Sequence, residues 1–191
     1  MKITSKISEA RELISGAKKS GKKIGFVPTM GFLHQGHLNL VSISKEQCGF
    51  NVMSIFVNRI QFNDKNDFEN YPKDLERDLS LAEKSGVDMV FVPDEREMYQ
   101  NNLAYVDIDL LTGHLCGAKR PGHFRGVLTV VSKLFNIIAP DIAIFGQKDI
   151  QQAICIEKMT ADLNFPLRII IAPTFREADG LAMSSRNKHL S

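Results

Sequence analysis

A chain of 191 residues is long enough to close one substantial hydrophobic core, and 43% hydrophobic against 24% charged residues is the balance of a soluble globular domain. A net charge of +2 without a clustered basic excess gives no support to a nucleic-acid surface. The three cysteines, Cys48, Cys116 and Cys155, are odd in number and far apart. That argues against a disulfide framework or a zinc site and for a reducing, cytoplasmic setting, while no apolar run approaches membrane-spanning length.

Residues 5–19 place Ile7, Ala10, Leu13, Ile14 and Ala17 at helical spacing between basic residues, which predicts an amphipathic packing helix. The apolar run 24–27 predicts a buried strand. It feeds the stretch Val27-Pro28-Thr29-Met30-Gly31-Phe32-Leu33-His34-Gln35-Gly36-His37-Leu38, from which a second helix starts near Gly36 and runs to about Gln47. A strand, a glycine-punctuated turn and a new helix make an anion site, because the first helical N–H groups lack internal partners and the helix dipole is positive there. His34 and His37 fall on one face of the first turn, where each imidazole can donate to a phosphate oxygen. Taken alone, a His-x-Gly-His tetrapeptide is short enough to arise by chance.

Residues 52–57 predict a second strand ending in the polar segment 58–62, where an α/β sheet presents its ligand-binding carboxyl edge. The cluster 63–67 reads as a turn. A helix follows from about Pro72, with Leu75, Leu79 and Ala82 on its inner face and Gly86 as its stop. Residues 88–92 predict a third strand, and the alternation over 105–110 predicts a half-exposed one. Residues 115–125, rich in glycine and basic side chains, read as an active-site loop, and 127–138 as a buried helix. Strand 142–145 runs into Gly146-Gln147-Lys148-Asp149, a helix extends to about Leu163, and strand 167–172 precedes the polar segment 174–186.

Alternating strands and helices indicate an α/β fold: a Rossmann-like, doubly wound, mostly parallel sheet of about five strands with helices on both faces. Four polar segments, 28–37, 58–62, 146–152 and 174–187, each follow a strand and so converge on one edge. Lys148 suits a polyphosphate, and Met183-Ser184-Ser185-Arg186-Asn187 offers hydroxyls and a guanidinium for phosphate oxygens. Individually, a surface lysine or a helix cap explains these residues equally well. Gln61 and Gln152 are amides suited to a hydroxy acid.

The block Val27 to His37 resembles the signature of pantoate–β-alanine ligases, within the wider HxGH (HUP-type) nucleotidylyl-transfer group. The similarity continues through SIFVN-x-x-QF (54–62), DFENYPKDLERDL (67–79), RPGHFRGV (120–127), KLFNIIAPD (133–141), G-x-KD-x-QQ (146–152) and PTFREADGLAMSSRN (173–187). It implies that ATP is held by Met30, Gly31, Phe32, Leu33, His34, Gln35, Gly36 and His37 together with Met183, Ser184, Ser185 and Arg186. Gly146, Gln147, Lys148, Asp149 and the main chain near Phe175 would surround the adenosine. Gln61 and Gln152 would hold pantoate, with Asn58 nearby and Arg120 and His123 on a neighbouring loop serving pantoate or β-alanine. Asp78 would belong to the magnesium shell. His34, His37, Lys148 and Ser185 would stabilise charge developing at phosphorus, and no residue stands out as a base for the β-alanine amine.

The implied reaction makes pantothenate through a pantoyl adenylate, with ATP and Mg²⁺, in a cytoplasmic homodimer that engages neither nucleic acid nor membrane. The alternatives are another HxGH nucleotidylyltransferase or a catalytically weak ATP-binding domain. In two places the chain departs from the family pattern. Arg59-Ile60 stand where a proline is usual before Gln61, which frees the turn and brings a charge near the pocket, and Gln147 replaces a glutamate beside Lys148. The resemblance further implies a smaller C-terminal domain that covers the site, so that residues 1–191 would be a single ATP- and pantoate-binding domain without that lid.

Overall fold

In the computed structural model, which describes residues 1–101 and 104–189, the apolar runs become the strands of one sheet. β1 (Lys2–Thr4), β2 (Ile24–Thr29), β3 (Phe50–Ile55), β4 (Met89–Phe91), β5 (Ile142–Gly146) and β6 (Arg168–Ala172) pair in the order β1-β4-β3-β2-β5-β6. Every pairing is parallel. The sheet therefore has six strands rather than five. β1 is too short to show a period in the sequence and joins the edge only through its partner β4.

The helices are α1 (Ile7–Lys19), α2 (Gln35–Gln47), α3 (Lys65–Glu69), α4 (Leu75–Lys84), α5 (Glu95–Met98), α6 (Leu115–Lys119), α7 (His123–Ile138) and α8 (Ile150–Asp162). Alternate strand residues face opposite layers, as the period of two requires. Phe26, Val52, Met89, Phe91, Ala143 and Phe145 pack with α1, α7 and α8, whereas Val27, Met53, Val90, Ile142 and Ile144 pack with α2 and α4. From β2 the chain winds outward through β3 and β4, then crosses to β5 and β6 on the other side. The carboxyl ends of β2 and β5 thus flank the point where the winding reverses, the place where open α/β sheets bind ligands.

Three local expectations change. The cluster 63–67 is not only a turn: Asp64 accepts from the Asn66 amide at 2.7 Å and so caps α3. Residues 105–110 form no strand, and the segment ends in a turn at 109–110 with left-handed backbone at Leu110 (φ +66°). The Val106 amide donates to Thr129 Oγ1 of α7 at 3.0 Å and that of Ile108 to its neighbour Asp107 at 2.9 Å, so the segment lies across a helix with Val106 and Ile108 inward. Period-two alternation reported one buried face, and the pairing partner was a helix. Within 115–125, α6 and the first turn of α7 replace the expected loop. α7 begins four residues earlier than the apolar run 127–138 and takes in Gly126.

Candidate active site

β2 ends at Thr29, whose hydroxyl donates to Ser54 O at 2.8 Å and accepts from the Gly31 amide at 3.2 Å. The loop then takes left-handed backbone at Gly31 (φ +83°) and at Phe32 (φ +50°). Glycine takes this conformation freely, whereas a side chain there is strained by about 1–3 kcal/mol. Asp78 of α4 holds the loop in place: its two carboxylate oxygens accept from the Phe32 amide at 2.6 Å and the Leu33 amide at 2.7 Å. The side chain is 1% exposed and lies outside the cleft wall. Asp78 is therefore a clamp behind the loop, with both carboxylate oxygens engaged by main-chain amides in place of the metal contact that the resemblance implied. Burial pushes its pKa up, against the Leu33 and Phe32 amides and Arg77, which hold it down.

Asp78→Asn should loosen this loop, because one acceptor oxygen becomes an N–H₂ facing an N–H. At about 1.5–3 kcal/mol for a hydrogen bond to a charged group, the midpoint of thermal unfolding should fall by about 5–10 °C, with weaker ATP binding in a calorimetric titration. Unchanged values for both would show that the loop holds its shape without the carboxylate.

α2 begins with a capping box built from two imidazoles. His34 Nδ1 accepts from the Gly36 amide at 3.1 Å, and His37 Nδ1 accepts from the His34 amide at 3.3 Å. An Nδ1 that accepts leaves the proton of the neutral ring on Nε2. The rings lie 4.0 Å apart between centroids. Burial, then Lys148 and Arg77, lower the pKa of His34; burial, then His34 and Lys148, lower that of His37 to about 3. Both act at neutral pH as uncharged N–H donors beside the positive end of α2.

The second wall follows β5, where Gly146, Lys148 and Asp149 line the cleft and Lys148 Nζ pairs with Asp149 at 2.9 Å. Asp149 thus supplies the carboxylate that Gln147 does not, and Gln147 itself is exposed outside the cleft. In the first turn of α8 the paired glutamines divide their work. Gln152 lines the cleft, while Gln151 donates to Leu111 O and His114 O and accepts from the Cys116 amide. The third wall follows β6: Phe175, Met183, Ser184, Ser185 and Arg186 line it. Ser185 Oγ donates to Phe32 O at 3.2 Å, and Arg186 pairs with Asp67 at 2.9 Å. Both cations have exposed partners, and such pairs are worth at most about 1 kcal/mol, so a polyphosphate can displace them.

The fourth wall is the 3-10 turn Arg59–Gln61 against the start of α7. Arg59 is exposed, 4.0 Å from Glu95, and its charge points away from the cleft. The missing proline does not displace Gln61, which lines the cleft at 8% exposure. His123 Nδ1–H donates to Gln61 O at 2.8 Å and its Nε2 accepts from Arg120 at 3.2 Å. Burial lowers its pKa. Both nitrogens are engaged with protein, and His123 thereby holds the turn against α7. Asn58 is likewise tied, with both amide protons donated to Gln61 Oε1 and Gly126 O.

Of the residues singled out in the sequence, Met30, His34, Gly36, His37, Asn58, Gln61, Arg120, His123, Gly146, Lys148, Asp149, Gln152, Phe175, Met183, Ser184, Ser185 and Arg186 come together around one cleft. Gly31, Phe32, Leu33, Gln35 and Gln147 do not line it. Leu33 is wholly buried and Gln35 exposed. Tyr71 and Phe62, rings 5.8 Å apart edge to face, line the cleft unannounced by the sequence, as does the apolar floor of Val127, Val130, Val131 and Leu134 from α7.

The family model for pantoate–β-alanine ligase matches residues 2–191. The pantothenate synthetase of Thermoanaerobacter sp. (strain X514) is 60% identical over 192 residues, covering 100% of this chain and 68% of that protein. The pantothenate synthetase of Pelotomaculum thermopropionicum is 57% identical, with the same coverage. Among solved structures, the pantothenate synthetase of Thermus thermophilus aligns with a TM-score of 0.94 and 46% identity, covering all of this chain and 68% of that one. The Francisella tularensis ligase, described as complexed with beta-gamma ATP and β-alanine, aligns with a TM-score of 0.96 and 40% identity over all of this chain and 74% of that one.

Proposed function

The chain belongs to the pantoate–β-alanine ligase family, and we propose that its cleft carries out that family's reaction as adenylation followed by aminolysis. The activity is the ATP-dependent joining of pantoate to β-alanine. A pantoate carboxylate oxygen attacks the α-phosphorus of Mg·ATP and pyrophosphate leaves, giving pantoyl adenylate. The β-alanine amine then attacks the acyl carbon, the C–N bond forms, the acyl–phosphate bond breaks and AMP leaves with loss of the amine proton. No enzyme nucleophile is needed, and the protein positions substrates and stabilises charge.

The observation that carries this reading is the pair of neutral N–H donors at the start of α2, facing the cleft with Lys148, Ser185 and Arg186. On this reading His34, His37, Lys148, Ser185 and Arg186 hold the phosphates, with Met30, Gly36, Ser184 and Met183 beside them. Gly146, Asp149 and Phe175 surround the adenosine. Gln61 and Gln152 hold pantoate, with Arg120 at the β-alanine end. Magnesium would enter with the nucleotide, because it keeps its waters and binds chiefly through substrate phosphates.

Residues 1–191 then act as one ATP- and pantoate-binding domain of a cytoplasmic homodimer. A second copy has a surface to meet: Leu110 is 85% and Leu115 76% exposed on the segment that Gln151 ties to α8, where Ile150 and Ile154 are also exposed. An assay for pyrophosphate and AMP tests the reaction. Pyrophosphate should appear with ATP and pantoate alone, and AMP should accumulate only when β-alanine is added. Pyrophosphate release indifferent to pantoate would overturn the assignment.

A further inference from the structure

We infer that Tyr99, a residue outside the cleft, is a positioning residue for Gln61, and that through Asn58 it makes Gln61 present its amide N–H₂ rather than its carbonyl to the substrate. The inference rests on the reading of Gln61 as a pantoate-binding group and adds the direction in which that group hydrogen-bonds.

The direction follows by elimination along the chain of contacts. Gly126 O can only accept, so the Asn58 atom 3.1 Å from it is Nδ2. The other terminal atom of Asn58 is then Oδ1, which only accepts, so the Tyr99 hydroxyl 2.9 Å away donates. The second Asn58 amide proton points at Gln61 across 2.8 Å, and the atom facing it is Oε1. Gln61 Nε2 is left toward the cleft, and its hydrogen-bond partner among the described residues is Met30 Sδ at 3.2 Å. A thioether is a weak acceptor and yields to a carboxylate or hydroxyl oxygen.

Asn58 is 1% exposed, so its carbonyl finds no water when the tyrosine hydroxyl is removed. The Tyr99 ring is held independently by Phe56, 6.1 Å between centroids, and by Lys133 Nζ at 5.6 Å from its centroid. Phenylalanine would keep that packing. Burial raises the Tyr99 pKa, so the hydroxyl keeps its proton over the working range. Tyr99→Phe thus removes one donor and leaves the Asn58 carbonyl unpaired, so that Asn58 is held through Gly126 O alone and fixes the Gln61 amide less firmly.

The test measures pyrophosphate release for the parent, Tyr99→Phe, Gln61→Ala and the double variant. Tyr99→Phe should raise KM for pantoate about tenfold, the size expected for one buried hydrogen bond, with kcat and KM for ATP within about twofold. In the Gln61→Ala background the same change should add nothing. A purely structural tyrosine would instead raise both KM values and act equally in both backgrounds, and that result overturns the inference. So does an unchanged pantoate KM in Tyr99→Phe when Gln61→Ala raises it. If Gln61→Ala itself leaves pantoate binding intact, the substrate reading of Gln61 fails instead. The relay is then judged by NMR exchange of the Asn58 side-chain amide protons, slow in the parent and fast in Tyr99→Phe if Tyr99 holds Asn58.

Discussion

The His37→Ala enzyme should release pyrophosphate about 100- to 1,000-fold more slowly than the parent while losing no more than about tenfold in ATP affinity. The imidazole is neutral, its Nδ1 is fixed by the His34 amide, and its Nε2–H is aimed before substrate arrives. A donor already aimed at developing charge does most for the transition state. His37→Gln is the matched control, because an amide at the third helical position can still accept from the His34 amide and keep the capping box. If it restores stability and not rate, the cap and the chemistry are separate. The lowered pKa also has a sign. An unfolded His37 takes up a proton near pH 6.5, whereas the folded ring waits until about pH 3. Between those values the unfolded state binds more protons, so stability is lost on acidification, by roughly 2 kcal/mol from this group at pH 5. Urea unfolding at pH 7.5 and pH 5 should show that loss in the parent and less of it in His37→Ala. An unaltered rate of pyrophosphate release would remove His37 from the chemistry.

What the sequence disclosed is the part of this site that local rules control. A strand, left-handed turn residues and a helix start are written in consecutive residues, so the loop from Met30 to His37 could be read directly. The convergence of the later segments followed from the parallel winding alone. The loop's clamp was less visible. Asp78 sits four residues before buried Ala82, on the same face of α4, and a carboxylate on a buried stripe is a signal that something receives it. What receives it, the Phe32 and Leu33 amides, lies 46 and 45 positions away, and no local pattern reports such a pairing. The same holds for Tyr99 and Asn58, 41 positions apart. His123 was indicated by the family resemblance alone, and the acceptor and donor that the fold places at its two nitrogens, Gln61 O and Arg120, could not be read from its neighbours in sequence.

Gly126→Ala should lower kcat/KM for pantoate about 100-fold, although residue 126 does not line the cleft. A methyl built there would stand 2.5 Å from Ile60 O, 2.6 Å from Gln61 Cα and 2.7 Å from Gln61 N. These are backbone atoms and cannot rotate away, so the 3-10 turn itself must move. It is also the turn that His123 and Asn58 tie to α7, through Gln61 O and Gly126 O, so the displacement strains those bonds as well. Overpacking of this kind costs about 1–3 kcal/mol, and thermal unfolding should report it. KM for ATP should change little, because the proposed phosphate-binding groups follow β2, β5 and β6 and do not lean on this turn. Gly16→Ala, in α1 with nothing within 4 Å of the new methyl, controls for the substitution itself and should stabilise slightly. Equal losses for ATP and pantoate in Gly126→Ala would mean that the helix and turn hold the whole fold together. A loss confined to pantoate would locate the second substrate at Gln61 without the side chain of Gln61 having been touched.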